Sequence, residues 1–250
     1  MFTRHVIARD ATTHFFNRAI MSERIERLFS SILVLTALVI AGTAIHREFG
    51  PSQAAVGGAS PVGAPPVFTA EWKGALPIGE LIGDSTAAMK VVVLSDLECP
   101  FCGRFHTLMT QVLAEHSHDV ALVFVHLPLP MHRFALPAAR AAECAGHVGR
   151  FREFVDVAYR KQDSLGLKSW GSFAREAGVS DTARIASCAI ARDGVARIDA
   201  GLAFATKIGA HSTPTVIVNG WRFDHPPTAS QLIGVLDSLR KGVRPFGGKT

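Results

Sequence analysis

Two cysteines with two residues between them, Cys99-Pro100-Phe101-Cys102, are the side chains in this sequence best suited to chemistry. A thiolate attacks a disulfide sulfur, so a pair at this spacing can close a small ring and reopen it. That use requires something to hold the first sulfur as a thiolate. A helix N-terminus does so, through its free N–H groups and the positive end of its macrodipole. Two other uses of the pair stay open. Zinc needs four ligands, and Cys99, Cys102 and His106 supply three. A permanent Cys99–Cys102 cross-link is possible, but so small a ring constrains little chain.

The flanking residues supply the elements that would position the pair. Residues 91–94 are an apolar run that reads as a buried strand. Ser95-Asp96-Leu97-Glu98 forms the turn. Pro100 suits a first helical turn, where its missing N–H costs nothing. Phe105, Leu108, Met109, Val112 and Leu113 then recur at helical period, which predicts a helix to about residue 117. Cys99 falls at the mouth of that helix and Cys102 one turn further in. Residues 120–125 are apolar without interruption, as in a strand covered on both faces, and strand–helix–strand order implies a parallel crossover.

The other elements follow in order. Residues 81–86 read as a loop. From Pro137, the apolar positions Ala141, Ala142, Ala145 and Val148 continue through Phe151, Phe154, Val155, Ala158 and Tyr159 as one long helical stretch. It breaks at residues 163–166, and residues 169–177, 180–191 and 195–208 read as shorter helices of a helical insertion over about 133–208. Residues 215–218 and 221–223 form a hairpin about Asn219-Gly220, the strongest two-residue turn signal. Thr228 caps a last helix that turns Leu232, Ile233, Leu236 and Leu239 inward. There is no internal repeat and no glycine-rich phosphate loop.

The N-terminal part is of another kind. Residues 1–27 hold five arginines and three acids, and residues 28–45 carry no charge. Eighteen helical residues rise about 27 Å, close to a hydrocarbon core. Arg24 and Arg27 before this run place the N-terminus in the cytoplasm and the rest outside. The reading is a cytoplasmic basic segment (1–27), a transmembrane signal-anchor (28–45), a Pro/Gly/Ala-rich linker (46–70) and a folded domain (71–250). A cleaved signal peptide and a buried core helix are the alternatives for 28–45. Met21 offers a second start directly before it. The chain of 250 residues has a net charge of +5, yet its remaining basic residues are scattered without interleaved aromatics, which argues against a nucleic-acid partner. Four cysteines, Cys99, Cys102, Cys144 and Cys188, allow three pairings.

From about Ile82 onward the sequence resembles the DsbA-like family of exported thiol–disulfide oxidoreductases. The matching pieces are Ile82-Gly83-Asp84, residues 95–102, residues 126–132, Ala138-Ala139-Arg140-Ala141-Ala142-Glu143-Cys144-Ala145, Thr213-Pro214-Thr215 and Asn219-Gly220, in the family's order. The resemblance implies an α/β, thioredoxin-like fold with a helical insertion. It implies that Cys99 is the exposed attacking thiol and Cys102 the buried resolving one. Thr213-Pro214 would be the cis-proline loop, beside which a substrate chain can pair like an added strand. Pro100, Phe101, Glu98 and His211 are the active-site neighbours. Some relatives suggest a second disulfide between Cys144 and Cys188, against the alternative of two buried free thiols.

Two departures stand out. The family's buried glutamate six residues before the first cysteine is Val93 here. Asp96 and Glu98 could substitute as proton carriers, though both are expected to sit solvated. Ala210-His211-Ser212 precedes Thr213, where glycine is commoner; His211 either approaches the sulfurs or is an ordinary loop residue.

The activity so implied is donation of disulfides to exported proteins, with no cofactor beyond the redox pair and no metal. Isomerase or reductase activity, or a non-catalytic thioredoxin-like binding module, are the alternatives. A DsbB-like membrane partner would reoxidise the site, at the periplasmic face of a bacterial inner membrane, or free in the periplasm after cleavage.

Overall fold

The computed structural model describes Thr36, residues 65–223 and residues 225–246. Apart from Thr36, the expected membrane segment at 28–45 lies outside the described residues, as do the basic segment before it, the Met21 start and most of the linker. Among the described residues, no helix is long and apolar enough to cross a membrane.

Six strands form one sheet: β1 (Val67–Phe68), β2 (Glu80–Gly83), β3 (Met89–Ser95), β4 (Val120–His126), β5 (Thr215–Val218) and β6 (Trp221–Phe223). Their order across the sheet is β1-β6-β5-β3-β4-β2. β3 lies parallel to β4, with Val91 opposite Leu122, and antiparallel to β5, with Val92 opposite Ile217. The parallel crossover expected from strand–helix–strand order is therefore present, and its helix is α1 (Pro100–Glu115). Six more α-helices follow among the described residues: α2 (Ala135–Gly146), α3 (Phe151–Arg160), α4 (Trp170–Glu176), α5 (Thr182–Ile190), α6 (Ala196–Ile208) and α7 (Ala229–Arg240).

The pleat sorts the strand residues onto two faces. Val91, Val93, Leu122, Phe124, Val216 and Val218 join α1, α2, α3 and α7 in the larger core. Val92, Leu94, Val123, Val125 and Ile217 point the other way, onto Phe204 and Ala205 of α6. So α6, expected as the last helix of the insertion, instead covers the back of the sheet. Gly201 permits this: a Cβ there would stand 2.3 Å from the His126 carbonyl oxygen.

Three further differences from expectation have local causes. Glu80–Gly83 is an edge strand rather than a loop, because β4 pairs with it antiparallel. Val67 and Phe68, placed in the linker by composition, pair with Arg222 and Trp221. Both strands are short and gain their ladder from partners far along the chain. The long helical stretch is broken between α2 and α3, where Gly149 takes φ +71° and the Arg150 N–H donates to the Ala145 carbonyl, closing α2. The hairpin turn is as expected, with Asn219 at φ 43° and Gly220 at φ 98°. The Asn219 side chain adds a bond that sequence did not suggest, accepting from the Lys90 N–H of β3 at 2.7 Å.

Candidate active site

Cys99 is the residue before α1, with extended dihedrals (φ −74°, ψ 119°), and Pro100 opens the helix. The turn that delivers it is tight: the Cys99 N–H donates to the Asp96 carbonyl at 3.2 Å. Gln162, just after α3, donates its amide to the carbonyls of Leu97 and Cys99, both at 2.9 Å. A Cβ at Gly103 would meet the Gln162 side chain at 2.8 Å, so the missing side chain makes room for this clamp. The insertion thus holds the turn directly.

Cys102 is buried at 1% exposure, as expected, but Cys99 is buried too, at 4%. The expectation of an exposed attacking thiol is corrected by the loop above it: the Cys99 Sγ–H donates to the Thr213 carbonyl at 3.4 Å. Thr213-Pro214 is a cis peptide and brings that carbonyl over the sulfur. Phe101 remains open at 57% exposure, with the Arg104 guanidinium 4.4 Å from its ring centre. His211 is exposed on the same loop, and Thr213 is the residue that meets Cys99.

The two sulfurs have opposite electrostatics. Cys99 is brought down from 9.0 to about 5, first by the hydrogen bond from Cys102, then by the Thr213 side chain and the backbone N–H groups of Cys102 and Phe101, against the opposing effect of burial. These N–H groups are the free donors of a helix start. Burial pushes the Cys102 thiol well up and its bond to Cys99 adds to this, while the Asp96 N–H at 3.5 Å and the Ser95 side chain pull the other way.

The acidic neighbours are also unlike the expectation. Asp96 is 1% exposed, not solvated. Its Oδ1 accepts from the Glu98 N–H at 2.8 Å, and its Oδ2 accepts from the Leu129 N–H and pairs with His132 Nδ1, both at 2.8 Å. Glu98 is partly buried and its Oε2 accepts from the Phe134 N–H at 2.5 Å. Both carboxylates therefore pin residues 129–134 beside the sulfurs. Burial pushes the His132 imidazole down, but Asp96, Cys99 and Glu98 outweigh it and the net shift is upward.

Sequence reasoning missed three participants: Gln162, His132 and Tyr159. Tyr159 is the chain's single tyrosine. Its Oη lies 2.6 Å from Ser95 Oγ, and its ring stacks on His106 at 4.7 Å between centres. His106, considered as a metal ligand, is bonded to Asp156 at 2.6 Å. Helical period placed Tyr159 on a buried face, but nothing in the sequence said which strand residue it would meet. Away from these sulfurs, Cys144 of α2 and Cys188 of α5 are joined, with Cα atoms 6.4 Å apart.

Three comparisons bear on this arrangement. A family described as thioredoxin matches residues 77–238. A Na(+)/H(+) antiporter NhaA of Herminiimonas arsenicoxydans is 30% identical over 167 residues, 67% of this chain but 26% of the antiporter. The chain thus spans about a quarter of the length of the curated relatives it matches. Among solved structures, a thioredoxin-like oxidoreductase from Silicibacter pomeroyi superposes with a TM-score of 0.58 at 26% identity, covering 66% of this chain and 94% of that one. BdbD from Bacillus subtilis superposes at 0.60 and 19% identity, covering 72% and 100%; its likeness is one of fold.

Proposed function

The chain belongs to the thioredoxin family, and from that premise we propose that it is a DsbA-like thiol–disulfide oxidoreductase whose Cys99–Cys102 pair donates disulfides to exported proteins. The observation that carries the direction is the place of the Cys99 sulfur at the start of α1, where Cys102 and the free N–H groups of the first turn bring it down to about 5. A stabilised thiolate favours the dithiol form, and that makes the disulfide form a strong oxidant.

The exchange runs in two steps. A substrate thiolate attacks Cys99 Sγ of the disulfide; the sulfur–sulfur electron pair leaves on Cys102, and a mixed disulfide forms at Cys99. A second substrate thiolate then attacks the substrate sulfur of that bond and releases Cys99 as a thiolate. The two substrate thiols lose two protons, of which one ends on Cys102 and one in solvent. Thr213 and Pro214 flank the sulfur where the substrate chain would lie along the loop backbone. Phe101, with Pro100, gives that chain an apolar rim. Reoxidation returns two electrons to a DsbB-like membrane partner. The site then faces the periplasm, anchored by residues 28–45 or free after their removal. Ion transport belongs to the whole antiporters, of whose length this chain spans about a quarter.

The test is stoichiometric. Oxidised full-length protein mixed with a reduced, cysteine-containing test protein is expected to oxidise it rapidly. The same protein is expected to restore little activity to a scrambled disulfide protein. Fast unscrambling with slow oxidation would reassign the pair to isomerisation or reduction. Undiminished function in Cys99→Ser would leave only a binding module.

A further inference from the structure

Resting on the reading of Cys99–Cys102 as an exchange site, we propose that the hydroxyls of Ser95 and Tyr159 form a rotating pair that accepts from the Cys102 thiol and donates to its thiolate. The need for such a device is plain from the core around the pair. Each turnover leaves a negative charge on Cys102, which is 1% exposed. A buried charge without donors is costly. Val93, two residues before Ser95 on the same strand, offers no acid there: it is a buried aliphatic side chain at 4% exposure.

Ser95, the last residue of β3, is 2% exposed; the N–H that follows it, of Asp96, donates to the Cys102 sulfur at 3.5 Å, and the Ser95 side chain acts on that sulfur in the direction that favours the thiolate. Its Oγ is 2.6 Å from Tyr159 Oη, and either atom can be the donor. Tyr159 Oη also reaches the Asp96 carbonyl at 3.4 Å. These contacts permit two complete arrangements. With Cys102 a thiol, its S–H donates to Ser95, Ser95 donates to Tyr159, and Tyr159 donates to the Asp96 carbonyl. With Cys102 a thiolate, Tyr159 releases the carbonyl and donates to Ser95, and Ser95 donates to sulfur beside the Asp96 N–H. Neither hydroxyl gives up its proton; two O–H bonds rotate, and the proton that returns Cys102 to a thiol is the one lost by a substrate thiol. Burial raises the Tyr159 hydroxyl well above its ordinary value, so it stays protonated in both arrangements. Ser95 touches the leaving sulfur, and Tyr159 is a positioning residue that acts through Ser95.

The experiment uses the full 250-residue chain, oxidised, with Ser95→Ala, Tyr159→Phe and the double variant. A hydrogen bond to a charged group corresponds to a change of about 10- to 100-fold, so mixed-disulfide formation with a dithiol peptide should slow by about that much in Ser95→Ala. Tyr159→Phe keeps the ring and should slow the same step. Because the hydroxyls act as one unit, the double variant should be no slower than Ser95→Ala alone. The equilibrium constant against glutathione should move by less than the rate does, since Cys102 rests as a thiol and loses only a neutral hydrogen bond to Ser95. Wild-type rates in both single variants, or losses that multiply in the double, would overturn the pair while exchange itself stands. A wild-type chain that exchanges with neither glutathione nor the peptide would instead remove the reading beneath it.

Discussion

Replacing Cys102 by alanine removes the group that does most to hold Cys99 as a thiolate. A hydrogen bond to a charged acceptor nets about 1.5–3 kcal/mol, and about 1.4 kcal/mol is one pKa unit. The Cys99 midpoint should therefore rise by about one to two units, from about 5 to about 6–7. It should stop short of 9.0 because Thr213 and the N–H groups of the helix start remain. With Cys144 and Cys188 bonded to each other, Cys99 is then the one titrating thiol among the described residues. The assay is the rate of alkylation against pH, checked by thiolate absorbance. In wild type the rate should plateau by about pH 6, whereas in the variant it should still be climbing there. A midpoint that stays near 5 would mean that the helix N-terminus alone holds the charge. A midpoint of 9 would mean that it contributes nothing; either result refutes the division of labour drawn from the geometry.

Three further outcomes are expected. Because the folded state depresses the Cys99 pKa from 9.0 to about 5, the stability that this group gives the dithiol form is fully present above pH 9 and is lost as pH falls to 5. Thermal unfolding of reduced against oxidised protein should show that gap closing with acid, and a gap that widens would reverse the sign. Joint replacement of Cys144 and Cys188 by alanine opens a loop with a sequence separation of 44; the chain-entropy cost is about 4 kcal/mol, read from denaturant midpoints, and a change under about 1 kcal/mol would count against it. Asp96→Ala orphans the N–H groups of Glu98 and Leu129 and the His132 ring, and should destabilise by about 3 kcal/mol. Asp96→Asn keeps one acceptor oxygen and should cost less; a loss equal to that of Asp96→Ala would show that no single acceptor there pins residues 129–134.

The central unit was legible because its signals are local. An apolar run, a proline at a first helical turn and five residues at helical period define strand, turn and helix without reference to anything distant. The parallel crossover followed from order alone, and Asn219-Gly220 specified its hairpin because few other residues tolerate both positive φ values. What failed depended on partners remote in sequence. Val67–Phe68 and Glu80–Gly83 are too short to announce themselves and become strands only beside β6 and β4. The helix α6 has the same periodicity whether it joins the insertion or crosses to the back of the sheet, and Gly201 against the His126 carbonyl decides which.

The same division holds at the site. Sequence by itself determined that two cysteines at this spacing open a helix, and hence that the first can be a thiolate. Tertiary structure decided everything about how that thiolate is covered and served. It laid the Thr213 carbonyl over Cys99, buried Asp96 against residues 129–134, clamped the turn with Gln162 and set Tyr159 beside Ser95. Burial and hydrogen-bond partners are properties of packing between segments, and a one-dimensional pattern of polarity records neither. An aspartate in a turn reads as solvated until the chain that donates to it, here 33 residues further on, is folded over it.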